Sequence, residues 1–67
     1  MRNETLIAAR KKSGKTQAQV AKEIGITEIG YQRYEQGKRI PNAPTGNSIA
    51  KALGSDPITL FGYKISG

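Results

Sequence analysis

Apolar residues recur along this chain at the spacing of amphipathic helices, and glycines separate one apolar segment from the next. Glycine has no Cβ atom and suits the left-handed conformation in which many helices end. The glycines that follow segments of helical composition are Gly14, Gly25, Gly37, Gly54 and Gly62. This pattern predicts five short helices and an all-α fold.

Residues that cap helices predict where each helix begins. Thr16 and Gln19 have the spacing of a capping box at the start of the second helix. The fourth helix is expected to begin late, because Pro41, Pro44 and Gly46 precede it. The predicted helices span about 3–12, 16–24, 27–36, 45 or 47 to 53, and 57–61. The residues expected to face the core are Leu6, Ile7, Ala9, Ala18, Val20, Ala21, Ile24, Tyr31, Tyr34, Ile49, Ala50 and Leu53.

Length and composition restrict the classes of protein. A chain of 67 residues holds a single domain, 1–67, in which 63–67 form a short tail. There is no cysteine and no histidine, one aspartate, and no glycine-rich phosphate loop, so we expect no enzyme, cofactor, metal site or small-molecule substrate. The stretch from Met1 to Ala9 lacks a long apolar run, so we expect no signal peptide or membrane span, and a cytoplasmic location.

The charge favours a polyanionic partner. The net charge is +6, and the basic residues concentrate in the first fifteen residues and after Gly37, leaving residues 16–37 nearly neutral. A basic membrane-surface helix would instead concentrate its lysines on one long amphipathic helix, which this sequence lacks. Two basic flanks around a neutral centre suit a nucleic-acid reader whose flanks bind phosphates.

The second and third helices are joined too closely for an open loop. Only Gly25, Ile26 and Thr27 lie between them, which predicts a tight turn with the two helices crossing steeply. Ala21 is small enough for the helices to touch, and apolar residues are available for the shared face. Those residues are Val20, Ile24, Ile26, Tyr31 and Tyr34. The pattern predicts a helix-turn-helix.

The sequence resembles the Cro and lambda-repressor-like helix-turn-helix family from Leu6 to Phe61. The matching segments are TQAQVA at 16–21, GIT at 25–27, YEQGKR at 34–39 with Pro41, and IAKALG at 49–54. The resemblance implies a compact five-helix domain from a prokaryote or phage that binds double-stranded DNA and regulates transcription, usually as a repressor. It also implies that Arg10 and Glu35 form an ion pair; the alternative is two unrelated surface charges.

The outer face of helix 3 is the predicted base-reading surface. Its candidates are Glu28 for a cytosine amino group, Ile29 for a thymine methyl, Gln32 for adenine and Arg33 for guanine. Each has a simpler alternative: Glu28 stabilises the helix start, and Ile29 turns partly into the core. Gln32 is solvated, and Arg33 is solvated or binds phosphate. Tyr31 and Tyr34 follow the period of the core, so we expect no base stacking from them.

The two edges of the helix-turn-helix are predicted to bind phosphates. Thr16, Gln17 and the free amides at the start of helix 2 form one edge. Lys38, Arg39 and Asn42 form the other. Lys11, Lys12 and Lys15 add charge, although a solvated face explains some of them.

Apolar residues near the end of the chain predict a homodimer on an operator with inverted half-sites. Ile58, Leu60, Phe61, Tyr63 and Ile65 exceed what one short helix and a tail can bury, and the predicted interface is Ile58, Phe61, Tyr63 and Ile65. The alternative is that Leu60 and Phe61 close the core of a monomer and the tail is disordered. An antitoxin that autoregulates through the same motif remains a second candidate function, disfavoured by the short stretch after helix 5, and a basic RNA-associated domain is a third.

Overall fold

Five α-helices in chain order form the part of the protein that the structure describes, residues 2–62 of a computed structural model. They are α1 Glu4–Ser13, α2 Gln17–Ile24, α3 Glu28–Glu35, α4 Ala43–Leu53 and α5 Pro57–Phe61. No strand occurs within these residues. The prediction of a five-helix all-α fold is confirmed. None of the five helices is long and apolar enough to cross a membrane.

A side chain caps the start of every helix. In each case its oxygen accepts a hydrogen bond from the backbone N–H three residues further on, which satisfies one of the amides left free at a helix start. At α2, Thr16 and Gln19 complete the capping box, with bonds of 3.1 and 2.7 Å. The capping residues are Asn3, Thr16, Thr27, Asn42 and Asp56.

The predicted start of the fourth helix was wrong. α4 begins at Ala43, before Thr45 or Asn47, and Pro44 lies in its first turn. Proline is tolerated there because the first amides of a helix have no partner within the helix. The side chain of Asn42 accepts from the Thr45 N–H at 3.0 Å and starts the helix that the prolines were expected to delay.

The core lies where all five helices meet. Leu6, Tyr31 and Ile49 are fully buried, and together with Leu60 they join α1, α3, α4 and α5. The whole buried cluster is Leu6, Val20, Ala21, Tyr31, Ile49, Ala50, Leu53 and Leu60. Ala18 was wrongly expected in it. Ala18 is exposed, because it lies two residues before Val20 and so on the opposite side of α2.

The packing order leaves one side of α3 uncovered. α2 packs on α3 and α4, while α5 packs on α1 and α4. Asn3 fixes the start of α1 through hydrogen bonds to two carbonyl oxygens, from its backbone N–H to Glu35 at 2.8 Å and from its amide to Leu60 at 2.7 Å. The side of α3 away from these contacts faces solvent.

Lys15 has a structural role at the far side of the domain. Its ammonium donates to the carbonyl of Ala52 at 2.7 Å, at the negative end of α4, and to Glu23 at 3.0 Å. Lys15 therefore links the turn before α2 to the end of α4, whereas Lys11 and Lys12 are exposed on α1.

Candidate nucleic-acid interface

Helix α3 presents a polar face to solvent because its two tyrosines fix its rotation. Tyr31 is fully buried and Tyr34 packs partly buried against the core. Side chains on the opposite side of a helix at this spacing must then point outward. The exposed or half-exposed residues on that side are Glu28, Ile29, Gln32 and Arg33.

Ile29 is the unusual member of this face. Its exposed fraction is 65%, although isoleucine is among the residues most often buried. The alternative that Ile29 turns into the core is therefore wrong. Thr27 caps α3 just before Ile29, because its hydroxyl oxygen accepts from the Gly30 N–H at 3.0 Å.

Glu28 and Gln32 interact along the same face. The Gln32 amide nitrogen donates to a Glu28 carboxylate oxygen at 3.3 Å, across one turn of α3. Arg33 is exposed and has no ion-pair partner within residues 2–62. The face thus combines a free guanidinium, a paired carboxylate and amide, and an apolar side chain.

At the first predicted phosphate edge, both side chains have hydrogen-bond partners inside the protein. Thr16 is exposed and its hydroxyl oxygen caps α2, accepting from the Gln19 N–H. Gln17 is half-buried, and its amide donates to the Glu35 carboxylate at 2.9 Å. The side chain of Gln17 therefore has a partner inside the protein, at the end of α3, which no local pattern in the sequence predicts.

The second predicted phosphate edge follows Gly37, whose φ of 75° directs the chain away from α3. Lys38 and Arg39 are exposed and form no ion pair with the described residues. Asn42 is exposed too, but its side-chain oxygen is engaged as the cap of α4. The cationic groups available at this edge are thus the two basic side chains.

A hydrogen-bonded network of charged and polar side chains connects the start of α2 to the end of α3. Arg10 Nε lies 2.6 Å from Glu35 Oε2, with the side chains only 14% and 4% exposed, so the two are not separate surface charges. Arg10 Nη1 also donates to the carbonyl of Lys15 at 3.0 Å, just before α2. Together with the bond from Gln17, these contacts fix the start of α2 against the end of α3.

The network keeps Glu35 ionised. Burial alone would raise the pKa of Glu35, but hydrogen bonds from Arg10 and Gln17 outweigh it and hold that pKa below its usual value. Burial raises the pKa of Tyr31 far above that of a free tyrosine, and the nearby Glu35 carboxylate adds to the rise. Arg10 therefore faces a permanent negative charge at neutral pH.

An apolar surface lies near α5. Ile58 is 61% exposed, whereas Phe61 is partly buried and packs against the core. Tyr63 and Ile65, predicted with them as an interface, lie outside the described residues. Ile40 was missed by the sequence analysis because it follows no helical period. It is 69% exposed and lines a shallow depression together with Leu60 and Phe61.

Comparison with known proteins agrees with this arrangement. A helix-turn-helix family profile matches residues 6–60. The cryptic phage CTXphi transcriptional repressor RstR of Vibrio cholerae is 46% identical over 50 residues, which cover 75% of this chain. The match spans 45% of that repressor's own length. No solved structure was found to match. The chain belongs to the helix-turn-helix family of Cro and lambda-repressor-like DNA-binding domains.

Proposed function

We propose that this chain is a transcriptional repressor that binds double-stranded DNA and reads its sequence by placing α3 in the major groove. The observation that carries the proposal is the outer face of α3, where polar side chains surround an isoleucine that is 65% exposed. The similarity to a phage transcriptional repressor supports repression. Neither comparison favours an antitoxin.

Four side chains of α3 are proposed to read bases. Arg33 donates to O6 and N7 of a guanine. Ile29 contacts the methyl group of a thymine, which is the apolar group that the major groove offers. Glu28 accepts from a cytosine amino group and Gln32 pairs with adenine. The absence of an ion-pair partner for Arg33 within residues 2–62 leaves its guanidinium available for this contact.

Phosphates are proposed to bind at both edges. Lys38 and Arg39 supply the charge at one edge. At the other, Thr16 and the free amides at the start of α2 donate, and Gln17 contributes mainly by fixing that start through Glu35. Asn42 acts through the helix start that it caps.

Arg33 and Lys38 should differ when each is replaced by alanine. We expect Arg33→Ala to weaken binding to the operator by about 1–3 kcal/mol and to relax the preference at one base pair, because the guanidinium reads a base. Lys38→Ala should weaken binding to all sequences alike, because it contacts a phosphate. Titrating each variant with an operator and with random duplex measures both effects. Equal losses on the two duplexes for Arg33→Ala would contradict its role.

The working species is proposed to be a homodimer on inverted half-sites. One recognition helix contacts too few base pairs to select a site within a genome, so two must act together. Ile58 is the exposed apolar residue on α5 that a second copy could cover, with Phe61 beside it. Tyr63 and Ile65, which the sequence predicts at the same interface, are included in the proposed dimer surface.

Ile58→Asp should remove cooperative binding to the operator, because it places a charge in the proposed contact between copies. The matched control is Ala8→Asp, which adds the same charge at an exposed position of α1 and corrects for repulsion from DNA. Gel-shift stoichiometry and the Hill coefficient measure the effect. If both variants bind with equal cooperativity, Ile58 does not lie in the contact between copies.

The chain is proposed to act by binding alone. The family to which it belongs consists of DNA-binding transcription regulators. We therefore infer a regulator that performs no catalysis and takes no cofactor, and that acts in the cytoplasm, where its DNA partner lies.

A further inference from the structure

Glu28 differs from every other acidic side chain of the domain, all of which lie within residues 2–62. Each of the others is paired with a cation or caps a helix, whereas the hydrogen-bond partner of Glu28 is the neutral amide of Gln32. The other acids and their partners are Glu4 with Arg2, Glu23 with Lys15, Glu35 with Arg10, and Asp56 at the start of α5. A carboxylate that has no cationic partner within residues 2–62 thus lies on the face proposed to enter DNA.

Such a carboxylate is unfavourable among phosphates unless hydrogen-bond donors compensate it. The major groove replaces part of its water and adds negative charge on both sides. One donor is already present, because Gln32 Nε2 lies 3.3 Å from Glu28 Oε2. The donors that DNA itself offers in this groove are the amino groups of cytosine and adenine.

The pairing also restricts Gln32. One of its two amide hydrogens is used by Glu28, which leaves the second hydrogen and the carbonyl oxygen for a base. A donor and an acceptor side by side match N7 and the amino group of adenine. An unpaired glutamine would instead rotate freely and lose conformational entropy on binding.

We propose that Glu28 and Gln32 read DNA as one unit, in which Glu28 accepts from both Gln32 and a base amino group and thereby orients Gln32 toward an adenine. The inference rests on the proposed function, and it adds that Glu28 determines the preference at two base positions. Gln32 is the reading residue at the second position, and Glu28 is its positioning residue.

A double-mutant cycle tests this coupling. Dissociation constants are measured for the wild type, Glu28→Ala, Gln32→Ala and the double variant, on the selected operator, its single-base variants and random duplex. We expect the single losses to be non-additive by about threefold or more, because the two side chains share one hydrogen-bonded unit. Glu28→Ala should relax the preference at both positions. Glu28→Gln, which keeps an acceptor oxygen, should retain the preference at the Gln32 position.

The matched control is the cycle of Glu28→Ala with Ile29→Ala. Ile29 is the neighbour of Glu28 on the same face, but its side chain has no hydrogen-bonding group and so shares no hydrogen bond with Glu28. We therefore expect a smaller departure from additivity for this pair, within about twofold. Random duplex corrects every variant for a general loss of folding. Additive losses for Glu28 and Gln32, in a protein that still selects an operator, overturn this inference alone. A wild-type protein without preference for any duplex overturns the proposed function and this inference with it.

Discussion

Arg10→Ala is expected to reduce the free energy of unfolding by about 3–5 kcal/mol, because it leaves the buried Glu35 carboxylate without its cation. The Glu35 side chain is only 4% exposed, so water cannot replace the guanidinium. The substitution also removes the bond from Arg10 to the carbonyl of Lys15. A domain of this size has little stability in reserve, so we expect the variant to be largely unfolded at room temperature.

Urea unfolding followed by circular dichroism measures this loss. The matched control is Arg2→Ala, since Arg2 and Glu4 form an exposed ion pair at 3.5 Å. Exposed pairs contribute about 0–1 kcal/mol. If the destabilisation exceeds the stability of the domain, Arg10→Ala loses its helical signal even without urea, whereas Arg2→Ala keeps it. If the free energies of unfolding of Arg10→Ala and Arg2→Ala differ by less than about 1 kcal/mol, the buried network does not stabilise the domain as expected.

DNA affinity should fall by orders of magnitude as salt increases. Each phosphate neutralised contributes about −0.9 to the slope of log affinity against log salt. For a dimer that makes six or more phosphate contacts, the loss between about 50 and 200 mM salt is about a thousandfold or more. The net charge of +6 on a chain of 67 residues supports contacts in that number.

Two lysines are expected to contribute differently to this salt dependence. Lys38→Ala should reduce the slope by about one unit per bound chain, because its proposed phosphate contact is lost. Lys15→Ala removes the same charge from a side chain engaged with Ala52 and Glu23, so it should leave the slope close to that of the wild type. Fluorescence anisotropy across a salt series measures both slopes. A slope near zero for the wild type, or the same reduction from both lysines, contradicts the assignment of phosphate contacts.

Local signals made much of this fold predictable. Capping residues and apolar periods act over three or four positions, so Thr16 and its capping box with Gln19 could be recognised as the start of α2 before the fold was known. The same kind of local reasoning failed at Pro44, where proline was treated as a helix breaker although the first turn tolerates it.

Contacts between distant residues were less predictable. Gln17 reaches Glu35 across 18 positions, and Lys15 reaches Ala52 across 37. Neither contact corresponds to a local or periodic pattern in the sequence. Gln17 was therefore predicted only as a phosphate contact, and Lys15 only as added charge or part of a solvated face. The exposure of Ile40 was missed for a related reason, since a loop residue has no helical face by which to judge its direction.

Selection of bound sequences from a random duplex pool shows whether the outer face of α3 reads base sequence. We expect one enriched motif, present as two inverted copies with centres about one helical turn apart. We also expect the motif to contain a guanine whose enrichment disappears with Arg33→Ala. Recovery of no motif from the wild-type protein, or of an unchanged motif from Arg33→Ala, contradicts base reading by α3.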